Sequence, residues 1–239
     1  ACVISLARTP ERLEQFHQRL GALSTEVHWH PGVDGFTIDC DELVATGIID
    51  SSALSWPKGQ IGCALSHLKA WQACAESDQP LLIFEDDAVL AADWNQRLLS
   101  VVKQVSHRPW DLLLLGWNLD SCLQFEWAKN QRLTALFRPR YSKACELAVA
   151  LQSAHQPVIY RLITALGLAG YVISPTGASR LLKLMHPLRT LPIETPELPP
   201  RNCFSLDGQL NSCYGDINAY VCFPPIVIGE NDQFESLTK

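Results

Sequence analysis

Three adjacent carboxylates, Glu85-Asp86-Asp87, follow directly on the apolar run Leu81-Leu82-Ile83-Phe84. Neighbouring negative charges repel, and holding them at the end of a hydrophobic strand costs free energy unless positive charge compensates. A divalent cation that prefers oxygen, Mn2+ or Mg2+, is the natural compensator, above all when it also holds a diphosphate. On an extended chain Glu85 and Asp87 point to one side and Asp86 to the other, so an acid-x-acid pair can grip a metal and a ribose together. Taken alone, an acidic tripeptide is more often a solvated turn at a strand end. Its surroundings decide.

The other residues with chemical potential each have a structural reading beside the chemical one. Arg8 and Arg12 fall on the first turn of an expected helix, where a guanidinium either binds phosphate through its planar fork or is plain surface charge. Cys63 and His67 are four residues apart and share one helical face, away from the apolar face marked by Ile61, Leu65 and Leu68. They make half of a zinc site at most: no C-x-x-C occurs and no convincing second pair accompanies them, so zinc is not expected. His28 and His30 lie on one side of a short strand and read as flanking Trp29 on a partly exposed surface. Asp207 reads as the N-cap of a short helix. The seven tryptophans offer faces to sugar rings, but in a domain of this size most belong to the core.

The elements that must position these groups are clearest in the first half. Val3 to Leu6 reads as a strand, followed by Thr9 as N-cap, Pro10 at the first helical position, and Leu13, Phe16, Leu20 and Leu23 at helical spacing. A second strand is expected from Val27 to Val33. A helix follows with Ile61, Leu65, Leu68 and Gln72 or Ala75 on its buried face, and then the strand Leu81 to Phe84. Asp93 with Gln96 predicts a capping box for a helix burying Leu98, Leu99 and Val102, before a strand over residues 111–115. This alternation with continuous apolar strands predicts an α/β fold, a mainly parallel sheet flanked by helices. Ligands of such sheets bind beyond the carboxyl ends of the strands, where the trio lies. Further on, helices are expected over 144–151, 177–184 and 207–210, and strands over 170–174 and 220–223. Residues 117–166 find no place in the sheet, and five prolines make 187–200 an extended loop.

Bulk properties narrow the function classes. With 239 residues, 47% of them apolar, the chain fits one large domain with a sizeable core. A net charge of −6 argues against a nucleic-acid partner, which demands a basic face. No apolar run approaches the roughly 20 residues of a spanning helix, and the opening strand lacks the charged flank of a signal peptide. Nine cysteines without a paired framework suggest reduced thiols in a cytosolic protein. No G-x-G-x-x-G follows the first strand, which disfavours a dinucleotide oxidoreductase.

Six segments, in order along most of the chain, decide between the readings of the trio. They are Val3-Ile4-Ser5-Leu6-Ala7-Arg8-Thr9-Pro10-Glu11-Arg12, Gly32-Val33-Asp34-Gly35, Gly59-Gln60-Ile61-Gly62-Cys63-Ala64-Leu65-Ser66-His67, Leu82-Ile83-Phe84-Glu85-Asp86-Asp87-Ala88, Gly170-Tyr171-Val172-Ile173-Ser174-Pro175-Thr176-Gly177-Ala178 and Ser205-Leu206-Asp207. In this order they resemble glycosyltransferase family 25, which includes lipooligosaccharide and collagen galactosyltransferases. The resemblance implies a GT-A-like, Rossmann-type fold, a UDP-sugar donor and a Mn2+-dependent (or Mg2+-dependent) transfer with inversion. Carried over by position, Asp87 and Glu85 become the metal site, Asp87 the more direct ligand. Ser5, Leu6, Arg8, Arg12, His67, Glu85 and Asp86 become the donor site, and Asp207 the catalytic base or a second metal contact, a role that can coexist with capping a helix. Ser5 stands where the family usually has asparagine, and Gly167-Leu168-Ala169-Gly170 is less polar than the family form.

The expectation is a single transferase domain, residues 1–116 binding the nucleotide sugar and 117–239 shaping the acceptor and catalytic side. It would move galactose or glucose to a hydroxyl acceptor in lipooligosaccharide or other cell-surface polysaccharide synthesis. Its expected place is the cytoplasm, at the inner face of the membrane, in peripheral contact and without a membrane span. A metal-dependent sugar-nucleotide hydrolase and a non-catalytic nucleotide-sugar-binding domain are the alternatives.

Overall fold

Short apolar runs become strands, and the amphipathic segments between them become helices. A computed structural model of the chain describes residues 1–21, 26–137, 143–152, 155–194, 200–230 and 237. The first half runs β1 (Cys2–Ser5), α1 (Pro10–Leu20), β2 (His28–Pro31), α2 (Cys40–Ala45), α3 (Lys58–Ala75), β3 (Leu81–Glu85), β4 (Ala88–Leu90), α4 (Trp94–Val105) and β5 (Leu112–Leu114). The second half runs β6 (Cys122–Ala128), β7 (Gln131–Leu136), α5 (Ala144–Ala150), β8 (Val158–Thr164), β9 (Gly170–Ile173), α6 (Pro175–Leu184), β10 (Pro192–Ile193), β11 (Arg201–Asn202), α7 (Leu206–Asn211), β12 (Ala219–Phe223) and β13 (Val227–Gly229).

Nine strands form one sheet in the order β2-β1-β3-β9-β5-β12-β8-β6-β7. The pairings run β2, β1, β3, β5, β12 and β6 in one direction and β9, β8 and β7 in the other. The expected α/β class is present, in a sheet with most strands running one way, β9 reversed between β3 and β5, and β8 and β7 reversed toward the other edge. Both faces are buried, and the period-2 alternation of a strand shows how. Ile4, Ile83, Leu112, Leu114 and Tyr171 pack on one side with α3 and α6. Val3, Phe84, Leu113 and Val172 pack on the other with α1 and α4. Glycine permits one close approach in this first layer: a Cβ on Gly62 of α3 would sit 2.5 Å from the Val33 carbonyl oxygen.

Several local expectations differ in detail. The stretch 117–166 supplies three strands of the sheet, β6 to β8, whose mixed polarity hid them. On α4 the buried residues are Trp94, Arg97, Val101 and Val105, whereas Leu99 is exposed. Asp93 stands at the N-cap position of that helix, but its carboxylate accepts from Arg97 Nε instead of from a helix N–H. On α3 the fully covered stripe is Ile61, Ala64, His67, Trp71 and Cys74, because Gly59, Gly62 and Ala70 let neighbours close over it. Leu65 and Leu68 are half-buried and Gln72 is exposed, so the helix is turned from its expected orientation. Leu23 lies outside the described residues. All nine cysteines are free. Among the described residues, no helix is long and apolar enough to cross a membrane.

Candidate active site

The carboxyl edge of the sheet opens into a cavity of about 420 Å3. Ser5 ends β1 there with Leu6 just after it, Glu85 ends β3 with Asp86 and Asp87 just after it, Asn118 and Asp120 follow β5, and Gly167 and Leu168 precede β9. Strand alternation divides the trio between the two faces. Glu85, on the side of Ile83, turns toward α3, and Asp86, on the side of Phe84, turns toward α1.

Asp86 is buried and held by three hydrogen bonds. Ser5 Oγ donates to its Oδ2 at 2.7 Å, and Arg12 donates to Oδ1 from Nε at 2.8 Å and from Nη2 at 2.6 Å. Burial disfavours the charged guanidinium, but the hydrogen bond to Asp86 and the charges of all three trio carboxylates hold the Arg12 pKa above its ordinary value. Removing the carboxylate strands a half-buried cation, so Asp86→Ala is expected to lose about 3 kcal/mol of stability, read as a lower denaturant midpoint. An unchanged midpoint would mean that water replaces the carboxylate without loss.

Glu85 ends a hydrogen-bonded chain that begins in the core. Trp71 Nε1 donates to Tyr171 Oη at 2.7 Å, Tyr171 Oη lies 2.8 Å from His67 Nδ1, and His67 Nε2 lies 3.1 Å from Glu85 Oε1. One assignment satisfies every group: the tyrosine hydroxyl donates to Nδ1 and the Nε2 proton goes to the carboxylate. Burial, reinforced by the charges of Cys2, Glu85 and Cys63, outweighs the Trp71 bond and pushes the phenol well above its usual value, so it stays a donor. His67 is fully buried. It stands behind Glu85 rather than on the cavity wall.

Asp207, in the first turn of α7, faces the trio across the cavity. The N-cap position belongs to Ser205, and Asp207 Oδ2 instead accepts the Gly167 N–H at 2.7 Å. Asn211, one turn on, binds the Ala165 backbone through both ends of its amide, at 3.0 Å and 2.6 Å, and fastens α7 to the same loop. Gly167 is at φ 93°, and a Cβ there would lie 2.2 Å from Asn118 Oδ1. Only glycine takes that backbone without strain, so the loop brings its N–H to the carboxylate.

Arg8 is placed differently from Arg12. It pairs with Asp34 at 2.7 Å, lies over the Phe36 ring, and is not part of the cavity wall. Sequence reasoning missed Asn118, Asp120, Arg19 and Glu230, which do line the cavity; Arg19 and Glu230 form an ion pair at 2.8 Å. Their sequence neighbourhoods carry no motif, and only the fold brings them in. Among the described residues the cavity wall therefore carries six carboxylates, Glu85, Asp86, Asp87, Asp120, Asp207 and Glu230, against the guanidiniums of Arg12 and Arg19.

The ordered segments around this acidic cavity now have a counterpart in known proteins. The family model described as "Glycosyltransferase family 25 (LPS biosynthesis protein)" matches residues 1–196. The chain belongs to glycosyltransferase family 25. This family member is similar to "Procollagen galactosyltransferase 1" of Danio rerio, 25% identical over 205 residues that cover 80% of this chain and 30% of that protein. It is similar to a "Glycosyltransferase 25 family member" of Drosophila melanogaster, 25% identical over 201 residues, 80% of this chain and 29% of that protein. It also resembles the human "Inactive glycosyltransferase 25 family member 3", 30% identical over 124 residues, 48% of this chain and 21% of that protein. The chain thus spans less than a third of the length of these relatives.

Three side chains at the junction of α3 and β3 form a further group. The ligand-capable atoms of Cys63, His67 and Glu85 lie within 4.8 Å of one another. Among the described residues this is the one such group of three. Burial, together with the charges of Glu85, Asp207, Asp87 and Asp86, pushes the Cys63 thiol well above its ordinary value.

Proposed function

We propose that this family member is an inverting glycosyltransferase that moves a hexose, galactose or glucose, from a UDP-sugar to a hydroxyl acceptor. The single observation that carries the reading is the excess of carboxylate on one cavity wall at the carboxyl edge of the sheet. A nucleoside diphosphate adds further negative charge, so such a wall suits it only together with a cation. The donor set fits a hard divalent ion. Glu85 and Asp87 offer carboxylate oxygens on the wall, and Asp86 is already engaged by Arg12 and Ser5. Mn2+ or Mg2+, when bound, supplies charge neutralisation to the diphosphate and stabilises departing UDP.

The chain's own residues would do the rest. Ser5 and Leu6 border the nucleotide, Arg12 presents positive charge fixed by Asp86, and His67 holds Glu85 in place from behind. Asp207 takes the proton of the acceptor hydroxyl on a carboxylate oxygen as that hydroxyl's oxygen bonds to the sugar's anomeric carbon. The bond from that carbon to the UDP oxygen breaks on the opposite face, which inverts the centre. The Gly167 N–H donates to Asp207 Oδ2 and the Gly208 N–H to Oδ1, and together they orient the carboxylate. In this reading residues 1–116 bind the donor and 117–239 shape the acceptor side. The printed name of the Danio rerio relative supports galactose. The family description, which names LPS biosynthesis, supports a role in lipooligosaccharide or other cell-surface polysaccharide synthesis.

The inactive relatives favour a second reading, a nucleotide-sugar-binding domain without turnover. The convergence of all three trio residues and Asp207 on one cavity speaks for catalysis. Calorimetry with a panel of UDP-sugars in the presence of Mn2+ tests the donor. A hexose donor, UDP-galactose or UDP-glucose, is expected to bind with the highest affinity. Binding of none of them would overturn the proposal, and hydrolysis that no acceptor accelerates would favour the hydrolase.

A further inference from the structure

We propose that Cys63, His67 and Glu85 form a site for a thiophilic divalent ion of the Zn2+ class, distinct from the hard-ion pair Glu85 and Asp87. Cys63 and His67 stand one helical turn apart on α3, and Glu85 reaches them from the end of β3. The third ligand is far away in sequence and arrives only through the packing of α3 against the sheet.

The geometry is close to what one ion requires. Two ligands of a tetrahedral zinc, at about 2.0–2.3 Å from the metal, stand about 3.4–3.6 Å apart. His67 Nε2 and Glu85 Oε1 are at 3.1 Å, and all three ligand atoms lie within 4.8 Å, so small side-chain rotations close the set. A sulfur, an imidazole nitrogen and a carboxylate oxygen make a set that selects zinc over magnesium or manganese. Tyr171 Oη at His67 Nδ1 fixes the ring plane, as groups behind a metal-bound histidine do. Cys63 and Glu85 border the cavity, which leaves a fourth position for water or a ligand.

The protons balance. The thiol of Cys63 loses its proton to solvent on binding, and the imidazole proton moves from Nε2 to Nδ1, from which it donates to Tyr171 Oη. That oxygen has two lone pairs and accepts from Trp71 as well. The tyrosine's own proton gives up its acceptor and the Nε2–H bond to Glu85 is lost, two hydrogen bonds against the new Nδ1–H bond to Tyr171 Oη and three metal bonds.

The site shares Glu85 with the donor reading without depending on it, and the test separates the two. Co2+, a spectroscopic stand-in for Zn2+, is titrated into the metal-free protein without nucleotide. One equivalent is expected to give thiolate-to-cobalt charge-transfer absorption in the near ultraviolet and tetrahedral bands in the visible. Cys63→Ser, which preserves size at a partly exposed position, should lose the thiolate band and weaken Zn2+ binding ~100-fold or more, beyond the loss from altering an outer-shell group. Asp87→Ala should keep the band. Absence of the band in the wild type, its persistence in folded Cys63→Ser and Cys63→Ala, or its loss in Asp87→Ala would each overturn the proposal.

Discussion

Asp87→Ala is expected to lower the rate of sugar transfer by about 10^2- to 10^4-fold, the worth of several kcal/mol of metal-derived charge stabilisation. The change should leave the fold intact. Asp87 follows β3 rather than lying within it, and its part in the backbone network is a carbonyl that accepts the Glu230 N–H at 3.1 Å, a bond that alanine keeps. The contrast with Asp86 is what gives the experiment force. Asp86→Ala should act first on stability, because that carboxylate neutralises Arg12 inside the protein. Asp87→Ala should act on turnover with little change in the unfolding midpoint. Equal losses of stability in the two variants would mean that the trio is a structural unit and not a metal grip.

Asp207→Asn is the second large effect. General-base catalysis contributes typically 10^2- to 10^4-fold, and the amide cannot accept the proton. The substitution keeps size and retains a carbonyl oxygen for the Gly167 N–H that now holds Oδ2 at 2.7 Å. The loss should therefore fall on kcat, with the donor KM nearly unchanged. Transfer at a near-normal rate would remove Asp207 from the chemistry and leave it as the anchor between α7 and the Gly167 loop.

The first half of the fold was legible because its signals are local. Continuous apolar runs ending in turn residues are hard to read otherwise, and each of β1, β3 and β5 lies where such a run predicts it. The division of the trio followed from strand periodicity alone, and Glu85 and Asp86 do reach opposite layers, α3 and α1. The strands β6 to β8 were hidden for a physical reason. They lie toward one edge of the sheet, where Glu126, Trp127 and all of β7 are exposed or half-buried, and polar residues (Gln124 and Glu126 in β6, Arg161 in β8) interrupt their apolar runs.

The site was legible only where a motif marks it. His67 was singled out, yet its place behind Glu85 depends on α3 being turned to bury it, which the sequence pattern of Leu65 and Leu68 argued against. Cys63 and His67 read as half a metal site because the third group, Glu85, comes from another element. Arg8 and Arg12 look alike in sequence. They part company because Asp34 captures one and the strand-end Asp86 the other. Nothing in the composition of Asn118, Asp120 or Gly167 announces a cavity wall. Asn118 and Asp120 arrive because they follow β5 at the carboxyl edge, and Gly167 because the reversal of β9 puts the start of that strand there.

The central claim is that the acidic wall at the end of β3 binds a nucleoside diphosphate together with a divalent cation. The most direct test is calorimetric titration of UDP into the wild-type protein with Mn2+ present and with Mn2+ removed by a chelator. UDP affinity is expected to rise at least about tenfold with Mn2+, equivalent to about 1.4 kcal/mol. UDP binding of equal strength in both conditions, or none in either, would contradict the assignment.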